Sequence, residues 1–542
     1  MTKPKVVVIG LDAAESSLVL RWAGQGYLPT LARLISNGVV APIATPPAVL
    51  EGAIWPTYIT SSSPATHGMF AYLQIKPGSY DLQLGLRADR LPVYPFWHHL
   101  SKAGKKVAVI DAPFAKPMRG LNGIQITNWG AHDQWSWDRC SWPKGLVSDL
   151  IRRFGEHPVD GCDPKNRDLA DYEDLKDRLI AGVRKKTAML EYCFDMADWD
   201  FFFGVFSEPH CVGHQFWHFS EPGHPRNNPA APQSMLCAMR DVYAEIDRGV
   251  GSLIGKTPPE THVLVIMSHG MGPGYHGSHL LNQVLKNLGV NDVQRDGSRG
   301  SENPAIQNNG RSARRLLWGA RRVLPPALRV LLKSRLSKDL LNNLWGWTHP
   351  EPSPWSRMRA FQVPSHDMTS AIRINLKGRE PAGLVNPGKE YEDLCRRLTE
   401  ALLALENTET GKKAVLWVER GTKLYTGPRQ NELPDLFIEW DHDAPIRTLS
   451  SSEIGIVSGE YSGGRTGNHL PNGLLLGRGP DWQPGWVAER VRTLDVGTTI
   501  LDIFGISIPR HHEGKSVLEL LRRRGKGPAP QAEPPSVPGY LL

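Results

Sequence analysis

Long apolar runs are missing from this chain. No stretch of its 542 residues approaches the roughly 18 consecutive apolar positions of a membrane-spanning helix, so no span is expected. Cysteine is sparse: Cys140, Cys162, Cys193, Cys211, Cys237 and Cys395 are scattered, with no CxxC pair. That spacing excludes a cysteine-based zinc ribbon and a dense disulfide framework, and reduced thiols are expected. No charged segment with an apolar stretch and cleavage site precedes the first strand pattern, so the location expected is cytoplasmic. One-signed charge is also modest. Lys and Arg number 63 against 55 Asp and Glu, a net +8 concentrated partly in Arg311–Lys338 and Arg522–Lys526. With no nucleic-acid motif present, the partner expected is a small, anionic molecule and not nucleic acid. Nothing in the composition sets an oligomeric state.

What is present is an alternation of short apolar runs and amphipathic stretches. Val6–Leu11, Val107–Ile110, Ile124–Thr127, Phe201–Phe206 and Val263–Met267 have the length and aliphatic or aromatic content of buried parallel strands. Leu28–Ser36, Lys185–Ala197, Met235–Leu253, Tyr391–Leu405 and Thr493–Phe504 have helical spacing. The fold class is therefore α/β, a mainly parallel sheet sandwiched by helices. Composition changes between residues 289 and 364, where two basic amphipathic stretches, 314–324 and 327–336, predict an inserted helical cap. Residues 1–288 and 365–521 form the main domain in this reading, and 522–542 a disordered tail.

Polar residues collect where these strands end, the usual place for ligands in such sheets. Asp12 follows the first strand, and Ser268 and His269 follow Met267. The Phe-rich strand empties into Ser207-Glu-Pro-His210-Cys-Val-Gly-His214-Gln-Phe-Trp-His218, whose histidines share one face if the segment is helical. A neighbouring pair could hold a cation. Asn128, Trp129, His132 and Asp133 form a polar-aromatic loop suited to substrate contact, and Arg373 and Arg379 could hold an anion. Plainer roles compete: Asp12 as a helix N-cap, and Glu51 as an acid at a helix start, where the dipole stabilises it by about 0.3–1 kcal/mol.

Seven pieces then occur in a familiar order: Val8-Ile-Gly-Leu-Asp12, Leu28-Pro-Thr-Leu-Ala-Arg-Leu34, Ser63-Pro-Ala-Thr-His-Gly68, Pro209-His-Cys-Val-Gly-His214, Ser268-His-Gly-Met271, Gly467-Asn-His469 and Leu494–Gly505. Together they cover most of the chain and resemble the alkaline-phosphatase superfamily, in particular its type I phosphodiesterase/nucleotide pyrophosphatase branch. The segment Ile372–Pro381 is similar to one in members of that branch. The resemblance implies a hydrolase with two metal ions, usually zinc, and a Ser or Thr nucleophile at a helix start. Carried over position by position, His214 and His469 match ligands of one metal and Asp12 and His269 ligands of the other. His210 and Ser268 stand where the family has aspartates, and Glu51 occupies the nucleophile position.

Those departures redirect the expected mechanism. His210, His214 and His469 would make a three-histidine zinc site with a fourth position open for water of pKa about 7. Asp12, Glu51, His269 and Ser268 would make a weaker second site, for zinc, manganese or no metal. Glu51 is then a ligand, a general base on the water or, less readily, a nucleophile. The leading expectation is a zinc-dependent hydrolase of a phosphoester or related ester working through metal-bound water. The alternatives are a zinc Lewis-acid transferase or lyase on a non-phosphate substrate, and a non-catalytic binding relative.

Overall fold

The computed structural model describes residues 5–48, 52–84, 92–130, 139–159, 167–291, 355–365, 368–461 and 463–523. Its centre is a ten-stranded sheet. Five neighbouring strands run parallel, in the order His262–Met267, Val6–Leu11, Phe201–Phe206, Val107–Ile110 and Gly123–Thr127. Antiparallel strands flank both sides, Cys140–Trp142 beyond the last and Asn472–Arg478 beyond the first; Val39–Ala44 pairs antiparallel with Asn472–Arg478 and so runs in the direction of the five. The mainly parallel α/β sheet read from the sequence is thus the sheet observed.

Strand alternation splits the core into two layers. Val7, Ile9 and Leu11 face one side, against the helices Leu169–Asp195, Glu208–Ser220 and Ala238–Gly255. Val6 and Val8 face the other, against the helices Ile54–Thr60, Phe96–Lys102 and Thr493–Ile503. Every residue of Val6–Leu11 and Phe201–Phe206 is buried, because both faces of the sheet are covered. The helix expected at Lys185–Ala197 begins much earlier, at Leu169. An Asp168/Asp171 capping box fixes that start, a signal placed well before the apolar spacing becomes evident.

A second, antiparallel four-stranded sheet, Ala360–Val363, Thr369–Ile374, Leu436–Trp440 and Val415–Arg420, carries its own apolar cluster with the helices Leu281–Asn287 and Lys389–Leu403. Strand Ala360–Val363 falls at the end of the stretch assigned to the cap. The two basic helices expected at 314–324 and 327–336 lie outside the described residues, as do 524–542 of the expected tail.

Candidate metal centre

Three segments bring three imidazoles together where the parallel strands end. The Phe-rich strand passes through Ser207 into the helix Glu208–Ser220, and a four-residue step puts His210 and His214 on one face. The turn after His262–Met267 becomes the strand Gly270–Pro273, which pairs antiparallel with Gly467–Leu470 and sets His469 opposite Met271. Ring centroids of His210, His214 and His469 form a near-equilateral triangle of 4.4, 4.7 and 4.7 Å. All three are buried, and their ligand atoms lie within 4.8 Å of one another.

The donor orientation is specific. His214 Nδ1 lies 2.7 Å from the Gly467 carbonyl, an acceptor only, so Nδ1 bears the proton and Nε2 presents its lone pair. That Nε2 is 3.2 Å from Nε2 of His210. Two nitrogens each 2.0–2.1 Å from a tetrahedral zinc stand roughly 3.3 Å apart, so this pair is spaced to share one ion. Three neutral imidazoles with a carbonyl behind one of them fit zinc or a similar borderline dication.

Close backbone approach makes the arrangement possible. A Cβ on Gly467 would sit 2.4 Å from the Gly213 carbonyl oxygen, and one on Gly213 would sit 2.7 Å from Met271 Cγ. Thr466 completes the seam, its amide donating to the His214 carbonyl at 2.8 Å and its hydroxyl to the same oxygen at 3.2 Å. His218, one step further along the helix, turns to that threonine hydroxyl at 3.2 Å and is not part of the cluster.

Asp12 and His269 stand beside this centre. The His269 ring is 4.8 Å from that of His469, and Ser268 Oγ is 3.0 Å from His269 Nδ1. Asp12 Oδ1 accepts the Trp55 indole N–H at 2.7 Å, which ties the helix Ile54–Thr60 to the end of the first strand. Among the described residues Asp12 and His269 join no third donor in a compact group. Glu51 lies outside the described residues; the backbone flanking it is left-handed at Ala48 (φ 62) and Gly52 (φ 86). The nearest hydroxyls in sequence are engaged elsewhere: Thr45 Oγ1 donates to Pro471, Thr60 Oγ1 to Pro56, and Thr57 Oγ1 accepts from His67 Nε2.

Of the substrate-contact candidates, Asn128 is buried with a left-handed backbone, while the Trp129 and Gly130 amides donate to Asp111 at 2.9 and 2.8 Å. His132 and Asp133 lie outside the described residues. Arg373 sits in the second sheet, its Nε donating to Glu380 at 2.7 Å and its Nη1 to the Leu433 carbonyl at 2.5 Å. Arg379 binds Asp435 through two nitrogens, each at 2.7 Å.

Sequence reading missed the supports. Glu15 Oε2 accepts the Met271 amide at 3.0 Å and so holds the turn carrying Ser268 and His269; burial raises its pKa. Glu208, the first residue of the ligand helix, accepts from His157 Nε2 at 2.9 Å. Beneath it, buried Lys186 pairs with Asp111. Glu15 had a signal, an acid preceding a helix close to Asp12; Glu208 and Lys186 had none. Cys211, next to His210, is disulfide-bonded, which departs at that position from the reduced thiols expected. Sequence spacing does not report which sulfurs the fold brings together. Cys193, Cys237 and Cys395 are free thiols.

Similar solved structures include a phosphonoacetate hydrolase from Sinorhizobium meliloti 1021 in complex with phosphonoformate (14% identity, 93% of this chain and 96% of that one, TM-score 0.49). Another is an inactive murine ectonucleotide pyrophosphatase / phosphodiesterase 5 in complex with AMP (13% identity, 96% and 100% covered, TM-score 0.49). No curated protein matches the chain. The sequence model of one family, described as type I phosphodiesterase / nucleotide pyrophosphatase, matches residues 6–448, and the chain belongs to that family.

Proposed function

We propose that the chain hydrolyses a phosphoester or related ester with a metal ion held by His210, His214 and His469. The observation carrying this reading is the buried triangle of imidazoles, with the His210 and His214 Nε2 atoms 3.2 Å apart. Zinc bound there would supply Lewis acidity towards a phosphoryl oxygen and lower the pKa of water to about 7. The protein's own contribution is orientation. Gly467 fixes the His214 tautomer, Thr466 holds the ligand helix against the His469 strand, and Glu15 holds the His269 turn. Water as nucleophile is favoured over a side-chain hydroxyl because Thr45, Thr57 and Thr60 are committed to other hydrogen bonds. Asp12, His269, Ser268 and Glu51 are assigned to a second site, which zinc or manganese would fill, with Glu51 as ligand or base.

The test is elemental analysis of untagged protein with His214→Ala and Asp12→Ala, beside phosphodiester and phosphomonoester hydrolysis assays. Expected are bound zinc and hydrolysis in the wild type, with His214→Ala losing the hydrolysis and the zinc of this centre. Zinc without any hydrolysis of phosphoesters, with native activity still requiring His214, would move the reading to Lewis-acid chemistry on another substrate. A wild type that binds no metal at this centre would leave only a binding role.

A further inference from the structure

A second group of imidazoles stands away from this centre. His99 belongs to the helix Phe96–Lys102, and His511 and His512 to the loop that follows the helix Thr493–Ile503. One ligand atom from each lies within 4.8 Å of the others. Ring centroids are 4.9 Å apart for His511–His512, 5.6 Å for His99–His511 and 6.1 Å for His99–His512. We infer that His99, His511 and His512 form a separate binding site for a borderline transition-metal dication such as Zn²⁺, clasping the C-terminal loop to that helix.

Three observations converge on it. Nε2 of His99 and Nε2 of His512 are both buried and have no hydrogen-bond partner among the described residues. A buried polar atom left unsatisfied is costly, and one cation accepting both lone pairs would remove two such costs. Two other ring nitrogens are engaged in ways that leave these atoms available. His512 Nδ1 is 3.0 Å from Thr498 Oγ1, and His511 Nε2 donates to the Tyr94 carbonyl at 3.3 Å, which makes Nδ1 the lone-pair nitrogen of His511. Finally, one ring nitrogen from each of the three residues lies within 4.8 Å of the other two, close enough for a single ion to engage them all.

All-imidazole donors select zinc, copper or nickel over magnesium or calcium. The adjacent carboxylate is already used: Glu513 Oε1 accepts from Ser63 N, Ser63 Oγ and Thr66 Oγ1 at 3.0, 3.1 and 2.6 Å. Water fills the fourth position, or His98, whose ring is 5.4 Å from that of His99. Donors as far as 4.8 Å apart must close towards roughly 3.3 Å around a tetrahedral ion, so loading draws the loop onto the helix. Because Glu513 grips Ser63 and Thr66, that movement also tightens the segment leading to His67.

The experiment uses the full chain carrying His214→Ala, stripped of metal and titrated with Zn²⁺ by calorimetry and with Co²⁺ by visible absorption. A binding step with a tetrahedral cobalt spectrum is expected, and adding His512→Ala should weaken that step at least about tenfold. Thermal melts check folding, and His511→Gln serves if His512→Ala does not fold. No binding step in His214→Ala, or a step unchanged by His512→Ala or His511→Gln, overturns the site. In the otherwise wild-type chain His512→Ala should remove one equivalent whether or not the three-histidine centre near His214 binds, which separates the two assignments.

Discussion

Lys186 is fully buried with its ammonium on the equally buried Asp111, under the loop that Trp129 and Gly130 complete. Lys186→Met would leave that carboxylate without its counter-ion, and a loss of about 3–5 kcal/mol in urea unfolding is expected. His67 gives a pH signature. Burial, helped by the Arg429 charge, holds it near pKa 3, while the unfolded side chain protonates near 6.5. Between those values only the unfolded state takes up the proton, so stability falls as pH drops from about 6.5 towards 3. In metal-free protein the stability gap between wild type and His67→Gln should therefore narrow from pH 7 to pH 4.5. A constant gap across denaturant melts would refute the assignment. Single residues were legible where chemistry is carried by residue type and order: the histidines at 210, 214 and 469 were read from spacing and resemblance. Arg373 shows the limit, since a guanidinium reads alike in sequence whether it faces a ligand or pairs internally with Glu380.

Two elements meet through the Gly213–Gly467 contact, and there the absence of side chains matters more than any ligand's identity. Gly467→Ala would place a Cβ 2.4 Å from one backbone oxygen and 2.9 Å from Trp217 Cβ, forcing the strand that bears His469 off the ligand helix. A cost of about 1–3 kcal/mol is expected, with zinc retention against a chelator reduced in parallel. Gly255→Ala is the control: it ends the helix Ala238–Gly255 with nothing within 4 Å of the added carbon, so stability should hold or rise by up to about 1 kcal/mol. Strands were the most legible elements, because being covered on both faces makes them continuous apolar runs. Helix starts set by polar caps, as at Asp168, were least legible. The antiparallel pairing of Gly270–Pro273 with Gly467–Leu470 joins segments nearly 200 residues apart, and no local pattern announces it.

At the scale of the whole molecule, the apolar layers on the two faces of the central sheet are built without the metal centre. Chelation should therefore leave the far-ultraviolet circular dichroism unchanged while lowering Tm, since an ion that binds only the native state adds about 2.7 kcal/mol at a hundred times its Kd. Collapse of secondary structure on chelation would show that the ion organises the fold. The central sheet was legible as a class from its apolar runs alone. The second sheet was not anticipated as a separate unit, because its strands are short, mixed in polarity and interrupted by a helix.

His210 and His214 enter the chain more than 250 positions before His469. A nascent chain that has not yet made the strand Gly467–Leu470 carries two imidazoles, no third donor and no carbonyl to set the His214 tautomer. On the proposed assignment, strong metal capture at this centre would wait until the ribosome had reached the last third of the protein, and the ion would act as a receipt for a nearly finished molecule.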